Sequence, residues 1–232
     1  AKVRIISRGT VEGEEGSADH VELSTQLVNY TQIFRKRGSF TGSALAVKTA
    51  TMENDISKQV ENFIAQIKHE IEIASVYGIA SATSPRRMGG VASFIPAANT
   101  QAIGAALTLS AIDNAIGTLF NLGGTVDCIL TSPRQYNALQ SLAKQARLFV
   151  TPDNVDYKNY FETYSSAYSP VKMKIVPSPA VADSELFILD SSKVRVVPLD
   201  KRHLVYEELA KTGDNVPFHV ISEVTLEAEA MA

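Results

Sequence analysis

The chain has 232 residues, of which 45% are hydrophobic and 20% charged, and its formal net charge is −3. These ordinary globular values exclude a largely disordered chain and argue against a membrane protein. A slightly acidic chain also lacks the basic stripe that nucleic-acid-binding domains usually carry, so any contact with DNA is expected to be local and weak.

The first 50 residues are predicted to form an extended β-hairpin arm. Residues 2–7 alternate as a first strand, an acidic and glycine-rich connection follows, and residues 21–34 return as a second strand. Because a two-stranded arm alone is marginal in water, it is expected to lie on its own body or on a neighbouring copy.

Two groups of charges lie in this arm. Four carboxylates sit on the connection and are interpreted as a solvated tip: Glu12, Glu14, Glu15 and Asp19. The basic cluster Arg35, Lys36 and Arg37 closes the arm. This cluster is either a solvated surface or a candidate intersubunit contact that pairs with acidic residues of another subunit.

Residues 51–78 are predicted to form one long amphipathic helix. Its apolar residues recur at steps of three and four, so they lie on one face. The candidate core of this helix is Ile56, Val60, Phe63, Ile64, Ile67 and Ile71. At 1.5 Å per residue the helix is roughly 37 Å long, and its apolar face needs a cover along that whole length.

The middle of the chain is predicted to alternate helix, strand and helix. Residues 88–126 hold one charged residue, Asp113, which indicates buried or partner-covered surface. Ser110 with Asp113 three residues later resembles a capping signal that opens a helix. A short buried strand follows, and Ser132 with Pro133 opens a second helix. This order indicates an α/β or α+β subdomain.

An aromatic-rich loop precedes three short strands. Aromatic residues on loops are enriched at protein interfaces, although packing on their own domain is an equal alternative. The candidate intersubunit contacts on this loop are Tyr157, Tyr160, Phe161 and Tyr164. Strands are then predicted over residues 173–176, 185–189 and 193–197, and they are expected to pair locally as a small sheet.

The last strand is the predicted cover for the long helix. Residues 218–229 alternate between apolar and polar side chains, which is the pattern of a half-buried strand. Residues 203–209 are its expected antiparallel partner, joined to it through a turn at Gly213, Asp214 and Asn215. A long helix on a long ribbon makes a two-layered slab.

No motif in the sequence carries chemistry. Its four histidines are scattered without zinc-ligand spacing, and neither a nucleophile elbow nor a dinucleotide-binding fingerprint occurs. Cys128 lies in an apolar run and is interpreted as a buried small hydrophobe. We therefore predict no enzyme activity, no catalytic residue, no cofactor and no metal site.

Several motifs occur in one order along nearly the whole chain. The arm ends in NYTQIF plus a basic residue at 29–35, an R-x-M-x-G turn lies at 86–90, and ILTSPRQYNAL lies at 129–139. ELAKTGD at 208–214, the most specific element, precedes a strand ending in TLE at 225–227. On these motifs the sequence resembles the major capsid proteins of tailed bacteriophages.

The resemblance implies the tailed-phage major capsid fold, an α+β fold shared with herpesvirus capsid floors and encapsulins. In that fold a long spine helix lies on an extended antiparallel β ribbon, and an α/β axial subdomain and a β-hairpin arm are attached. The implied division is an arm (E-loop) over residues 1–50, a peripheral domain over 51–99 and 200–232, and an axial domain over 100–199.

The resemblance also implies a structural function. The subunit would self-assemble into pentamers and hexamers of an icosahedral shell that encloses double-stranded DNA. Its implied partners are other copies, packaged DNA through weak non-specific contact, and portal and decoration proteins, with no membrane. Its implied location is the virion, after assembly in the bacterial host cytoplasm. An encapsulin-type compartment shell and an unrecognised soluble enzyme or binding module stay open as alternatives.

Overall fold

The computed structural model of the chain describes residues 27–43, 55–145, 163–166, 168 and 172–229. Within these ranges, helices and strands form two four-stranded sheets, each with helices packed on it. The strands are β1 (Gln32–Thr41), β2 (Cys128–Thr131), β3 (Thr163–Tyr164), β4 (Met173–Pro177), β5 (Leu186–Leu189), β6 (Val194–Pro198), β7 (Val205–Glu208) and β8 (Asn215–Ala228). The helices are α1 (Asp55–Tyr77), α2 (Val91–Phe94), α3 (Leu109–Asn121) and α4 (Pro133–Gln145), with 3₁₀ turns at Ala97–Asn99 and Ser191–Lys193.

The first sheet is built around β8, a strand of 14 residues. β1 pairs antiparallel with one side of it, from Gln32 opposite Val224 to Thr41 opposite Asn215. β6 and β7 pair antiparallel with its other side, one after the other along its length. In the described part of the chain β1 is therefore an edge strand of this sheet.

Helix α1 packs its apolar face on this sheet. Of the predicted stripe, Phe63, Ile67 and Ile71 are at most 9% exposed, while Ile56, Val60 and Ile64 are half-buried. They meet a core contributed by the sheet and by the turn after the helix: Phe34, Met88, Phe218, Val220 and Val224. The 23-residue helix is about 35 Å long, so it spans most of the central strand, and the predicted helix-on-ribbon architecture is present.

Phe218 lies at the centre of this core. Its ring centroid is 5.8 Å from those of Phe40 and Phe63 and 5.7 Å from that of Tyr206. Gly38 lies opposite it on β1. A Cβ at Gly38 would be 2.9 Å from the Phe218 ring and 3.1 Å from the Phe63 ring. Glycine therefore lets the helix approach the sheet closely enough for the aromatic rings to touch.

The second sheet is built around β2. β4 pairs with β2 in parallel, β5 pairs with it antiparallel on the other side, and β3 joins the outer side of β4. Helices α3 and α4 cover this sheet. Buried residues of both helices and of the strands form a second core: Ile112, Ile116, Val126, Ile129, Leu139, Tyr164, Met173 and Ile175.

The two sheets meet at the C-terminal end of α1. Val76 is buried there against Ala180 and Val181. The Tyr77 hydroxyl donates to Glu185 Oε2 at 2.7 Å, and the Tyr77 ring lies edge-on to a phenylalanine of β5. The long helix thus belongs to the first core along most of its length and anchors the second sheet with its last turn.

The pairing of the three short strands β4, β5 and β6 differs from the prediction. They were expected to pair with one another, but β4 and β5 flank β2, and β6 pairs with β8 in the other sheet. The reason is burial, because the apolar β2, with Ile129 only 1% exposed, needs a neighbour on both sides. The capped 3₁₀ turn at Ser191–Lys193 then redirects the chain from the second sheet to the first.

Two strands of the first sheet, β1 and β8, also differ from the prediction. A returning strand was expected to end at residue 34, yet β1 runs from Gln32 to Thr41 and carries the basic cluster in its middle. It extends because β8 offers it a ten-residue pairing. The predicted half-burial of the last strand is wrong for residues 217–224, which are all buried. On the face turned away from α1, Glu207 binds His219, and Arg86 and Arg202 bind Glu223.

The two predicted helix starts have different outcomes. Helix α3 begins at Leu109 and is capped by Thr108, whose hydroxyl accepts from the backbone three residues later. Ser110, the predicted cap, lies in the first turn instead. Helix α4 begins at Pro133 as predicted, and the Ser132 hydroxyl accepts a hydrogen bond from its first turn at 3.2 Å.

Replacing Ile67 by alanine should reveal how much the packing of α1 contributes. Ile67 is 0% exposed, so the shorter side chain leaves a cavity and should lower the free energy of unfolding by about 2–5 kcal/mol. Urea unfolding followed by circular dichroism measures this value. The neighbouring Gln66→Ala, on the exposed side of the helix, is the control and should change stability by less than about 0.5 kcal/mol. Equal losses would show that the stripe is not the buried face.

Candidate functional site

The side chain of Asn29 holds the residues that lead into β1. Its Nδ2 donates to the carbonyl oxygens of Gly89 at 3.1 Å and Leu226 at 2.8 Å, and its Oδ1 accepts from the amide of Gly89 at 2.7 Å. Beside it, the Thr225 hydroxyl donates to the carbonyl of Tyr30 at 3.0 Å. A primary amide can donate twice and accept at the same time. One side chain therefore joins the start of β1, the turn after α1 and the central strand.

The turn that Asn29 binds is rigidly placed against the end of α1. Ser81 and Arg87 exchange two backbone hydrogen bonds of 3.0 and 3.1 Å, and the Gly90 amide donates to the carbonyl of Gly78 at 2.8 Å. A Cβ at Gly90 would lie 2.6 Å from the Gly78 nitrogen and 2.7 Å from the Ala74 oxygen. Only glycine permits this close approach of two backbones.

A second contact binds the same turn to β1. The amide of Met88 donates to Oε1 of Gln32 at 3.1 Å, and Met88 itself is 0% exposed. We term residues 29–32, the turn 86–90 and their contacts on β8 the arm-root junction, since residues 1–28 of the predicted arm precede them in the chain. The side-chain amides of Asn29 and Gln32, before and at the start of β1, therefore hydrogen-bond buried backbone groups of the turn.

Glu223 is the buried charge of the arm-root junction. Its side chain is 6% exposed and accepts from Thr31 Oγ1 at 2.8 Å, Arg202 Nε at 2.9 Å and Arg86 Nη2 at 3.3 Å. A buried carboxylate is costly unless it is paired and hydrogen-bonded. These three partners lie before β1, after α1 and between β6 and β7, so a single carboxylate joins three separate segments.

A shallow groove lies beside the arm-root junction. Its volume is about 260 Å³, and it is lined by Leu27, Asn29, Phe94, Val197, Thr225, Leu226, Glu227 and Ala228. Glu227 is the ionisable residue of this lining, and its carboxylate is bound by the Arg195 guanidinium at 2.7 and 3.0 Å. Within the described part of the chain, the ionisable group of the groove is therefore already paired to an arginine.

The structure separates the basic cluster of the predicted arm. Lys36 turns toward α1 and pairs with Glu70 of the same chain. Arg35 and Arg37 are exposed. Alternation along a strand places neighbouring side chains on opposite faces, which is why the middle residue of the cluster lies apart from the other two.

The four aromatic residues predicted as intersubunit contacts have different outcomes. Tyr157, Tyr160 and Phe161 lie outside the described residues. Tyr164 is 8% exposed and belongs to the second core, which corrects its assignment to an intersubunit surface. It is buried because its hydroxyl finds a partner within the subunit, the Oδ1 atom of Asp113 at 2.9 Å, as buried tyrosines require.

Asp113 has a structural role that explains the one charge in an otherwise uncharged stretch. Its Oδ1 also accepts from the hydroxyl of Ser166 at 2.7 Å. Burial raises the pKa of the Tyr164 phenol above its ordinary value of 10.0, and the hydrogen bond to the negative Asp113 raises it further. Asp113 therefore ties helix α3 to the segment around β3.

Among the described residues, no group of three or more His, Cys, Asp or Glu side chains could hold a metal ion. Cys128 is half-buried; burial and the neighbouring Asp127 raise the pKa of its thiol, against the opposing effect of Lys174. No helix in this part of the chain has the length and apolar character needed to cross a membrane.

The comparison with protein families decides the identity. The profile of the SU10 major capsid protein family matches residues 7–231, nearly the whole chain. The chain belongs to this family. It is a major capsid protein, a structural subunit of a phage-type icosahedral shell and a component of the virion. No curated protein sequence matches it.

Solved structures show the same fold at low sequence identity. A chain of Microbacterium phage Oxtober96 is similar with a TM-score of 0.61 and 15% identity, over 86% of this chain and 67% of that one. The capsid of cyanophage A-1(L) is similar with a TM-score of 0.61 and 12% identity, over 86% and 74%. The SrpI encapsulin of Synechococcus elongatus is similar with a TM-score of 0.59 and 11% identity, over 87% and 71%. The predicted tailed-phage capsid fold is thereby confirmed.

The arm-root junction brings together two motifs of this major capsid protein that lie apart in its sequence. The segment 29–35 and the turn 86–90 contact each other through Asn29 and Gln32. Both motifs are visible in the sequence, but their pairing and the role of Glu223 are not. The available signal was a carboxylate between apolar residues of the last strand, together with arginines beside the turn that lacked a partner nearby in sequence.

Asn29→Ala should loosen the arm-root junction of the capsid protein. The change leaves two carbonyls and the Gly89 amide without partners, which should lower the free energy of unfolding by about 1–3 kcal/mol. Hydrogen exchange should accelerate in peptides that contain Gly89. Asn29→Asp keeps the acceptor for that amide and should preserve its protection while still losing stability. Unchanged exchange in Asn29→Ala would contradict this account, and Asn62→Ala on exposed α1 surface is the neutral control.

Tyr164→Phe should have a pH-dependent effect on the capsid protein. At neutral pH it removes a hydrogen bond to a charged group, with an expected loss of about 1.5–3 kcal/mol. The raised pKa of Tyr164 in the folded state means that the unfolded chain ionises first. The wild-type advantage is thus complete below the ordinary pKa of 10.0 and shrinks as pH rises above it. Urea unfolding of both proteins at neutral and alkaline pH tests this; a constant difference would contradict it.

Proposed function

We propose that the protein self-assembles into pentamers and hexamers of an icosahedral shell that encloses the double-stranded DNA of a tailed bacteriophage. The observation that carries this proposal is the family match over residues 7–231, which coincides with a capsid fold of TM-score 0.61. The role is structural, and the mechanism is the repeated burial of surface between copies rather than chemistry at a site.

The subunit divides, in this proposal, into three parts. An arm comprises residues 1–50, a peripheral domain comprises 51–99 and 200–232, and an axial domain comprises 100–199, except that the strands β1 and β6 belong to the peripheral domain. The two cores support this division, since α1 packs on the first sheet while α3 and α4 pack on the second. β1 is assigned to the peripheral domain because it pairs with β8 over ten residues, and β6 likewise joins β8.

Exposed apolar residues of the axial domain support contacts between subunits. Phe120 is 54% and Leu122 63% exposed at the C-terminal end of α3, and Ile103 is 45% exposed in the loop before that helix. We assign these residues to contacts around the capsomer axes. Each contact is small, but every subunit repeats it, so a closed shell adds many modest interfaces through symmetry and multivalency.

Contact with packaged DNA is proposed to be weak and non-specific. The exposed side of α1 carries Lys58 and Lys68 but also Glu61 and Glu72. This mixture gives little net attraction for phosphates, so little of the salt-dependent affinity of a basic DNA-binding surface is expected. Portal and decoration proteins are further proposed partners, no membrane is involved, and assembly takes place in the bacterial host cytoplasm before the subunit becomes part of the virion.

Assembly is tested directly by expressing the full chain in bacteria. The expected result is closed icosahedral particles in electron micrographs and elution near the void volume of a sizing column. A protein that stays a compact monomer under every assembly condition would contradict the proposal.

The content of the particles separates a virus shell from a compartment. In particles isolated from an infected host we expect a nuclease-protected genome of double-stranded DNA. Mass spectrometry that finds a packaged enzyme and no genome would instead identify an encapsulin-type shell, whose fold this chain resembles with a TM-score of 0.59.

A further inference from the structure

A bulge interrupts the pairing on one side of β8. β6 and β7 pair with this side, and residues 199–204 lie between them opposite only Ser222 and Glu223. The chain therefore carries four more residues here than an uninterrupted ladder needs. On the other side, β1 pairs with β8 without a break past the same point. We term residues 199–204 the bulge. Extra length on one side of a strand pair bends the strands and increases their twist.

Glu223 holds both ends of the bulge. Its carbonyl oxygen accepts from the amide of Leu199 at 2.9 Å, and its own amide donates to the carbonyl oxygen of Arg202 at 2.7 Å. The guanidinium of Arg202 returns to the Glu223 carboxylate at 2.9 Å, and the amide of Arg202 donates to the carbonyl of Leu199 at 3.0 Å. The backbone groups and the side chain of one strand residue thus fix the shape of the bulge.

The C-terminal part of the bulge is anchored in the subunit as well. The Nδ1 atom of His203 lies 3.1 Å from the hydroxyl of Ser222, and Leu204 packs against the first core. Asp200 and Lys201 at the tip are exposed. Most of the bulge is therefore held from inside, and its tip turns outward.

Two residues of the bulge have an uncommon backbone conformation. Lys201 has a φ of 58° and Leu204 has a φ of 53°. Residues with a Cβ rarely adopt this left-handed region, and no other described residue except glycine does so. Such local strain persists only where the surrounding contacts impose it. The bulge is therefore an imposed conformation and not merely slack chain between two strands.

The bulge lies where the pairing partners of β8 change. Residues 215–224 of β8 pair with β1, whereas residues 224–228 pair with β6. Over its 14 residues β8 is roughly 46 Å long, and the bulge lies between its two paired regions. A change of bend at this boundary therefore moves the two ends of the strand relative to each other. We term β8 together with β6 and β7 the central ribbon.

We propose that the bulge, held by Glu223, sets the bend of the central ribbon and thereby the diameter of the closed shell. This inference rests on the proposed function. In a closed assembly of identical copies, the angle at which a subunit holds its neighbours is repeated at every equivalent interface. That angle decides how many copies close the lattice. A bend that is fixed inside the subunit therefore selects one shell size.

Removal of the four surplus residues tests the proposal. Deletion of residues 200–203 joins β6 to β7 in one register along β8, and alternate side chains keep their faces because four is an even number. The deletion removes Arg202, so it is combined with Glu223→Gln, which avoids a buried charge with too few partners. Glu223→Gln alone, with the bulge intact, is the matched control. Electron micrographs of purified particles should show a different diameter, or tubes and open sheets, for the deletion variant. Identical diameters in these two variants would overturn the proposal.

Arg202→Gln tests the hold on the bulge without changing the length of the chain. The distribution of particle diameters should broaden, because the bulge loses the ion pair that ties it to Glu223. Arg195→Gln breaks another arginine–glutamate pair, the one between β6 and β8, and should leave the distribution as narrow as in the wild type. Equal distributions in the two variants would overturn the proposal. This comparison decides if circular dichroism shows that the deletion variant does not fold.

The bend can also be measured in the unassembled subunit. Lys193→Cys and Lys211→Cys, combined with Cys128→Ser, place spin labels near opposite ends of the central ribbon. Dipolar spectroscopy should give a different mean distance for the deletion variant than for its Glu223→Gln control. An unchanged distance would show that the bulge does not set the bend and would overturn this inference alone. A wild-type chain that forms no shells would overturn both this inference and the proposed function.

Discussion

The burial of α1 on the sheet around β8 is the interaction on which the rest of the subunit depends. β8 has strands on both sides and the helix across one face, so its central residues, such as Phe218 and Val220, reach 0% exposure. Each large apolar side chain buried in this way contributes about 1.5–3 kcal/mol. The helix also carries Val76 into contact with the second sheet. Without this packing, neither the arm-root junction nor the second sheet would have a fixed support.

The arm-root junction follows from that packing because it lies where buried backbone must find polar partners. The turn after α1 cannot hydrogen-bond to water where the helix, β1 and β8 converge, so Asn29 and Gln32 satisfy it. Glu223 adds a stricter constraint, since a buried carboxylate that loses its arginines is strongly destabilising. The direction in which the chain enters β1 is therefore set by the body of the subunit. Such preorganisation lowers the entropy that assembly would otherwise lose.

The sequence predicted those features that depend on local pattern. The apolar stripe of α1 and the Ser132–Pro133 start of α4 follow from helical periodicity and capping chemistry. The partner of the last strand, β7, is its neighbour along the chain and was also predicted. The pairing of β1 with β8 joins residues such as Gln32 and Val224, and no local signal specifies a contact at that separation.

The errors have a common physical origin in tertiary neighbours. The alternating pattern of the last strand correctly places Phe218 and His219 on opposite faces of β8. It does not reveal that other segments bury both of these faces. Tyr164 looked like an interface aromatic because the sequence does not reveal that Asp113 lies beside its hydroxyl. The three short strands were adjacent in sequence and yet serve two different sheets. In each case the packing of distant segments overrode a local preference.

The charges of this subunit fall into two classes that suit a shell protein. Buried charges such as Glu223 have several partners within the chain and define its shape. Exposed charges such as Arg35 and Arg37 form no ion pair within the described residues. A single exposed ion pair contributes only about 0–1 kcal/mol of free energy. A weak contact can open again, which allows a misplaced subunit to leave a growing lattice. In the proposed shell, weak contacts are repeated on every copy and act together with exposed apolar surface such as Phe120 and Leu122, so their sum is strong once the lattice closes. Rigid subunits joined by individually weak contacts therefore reconcile accurate assembly with a stable final shell.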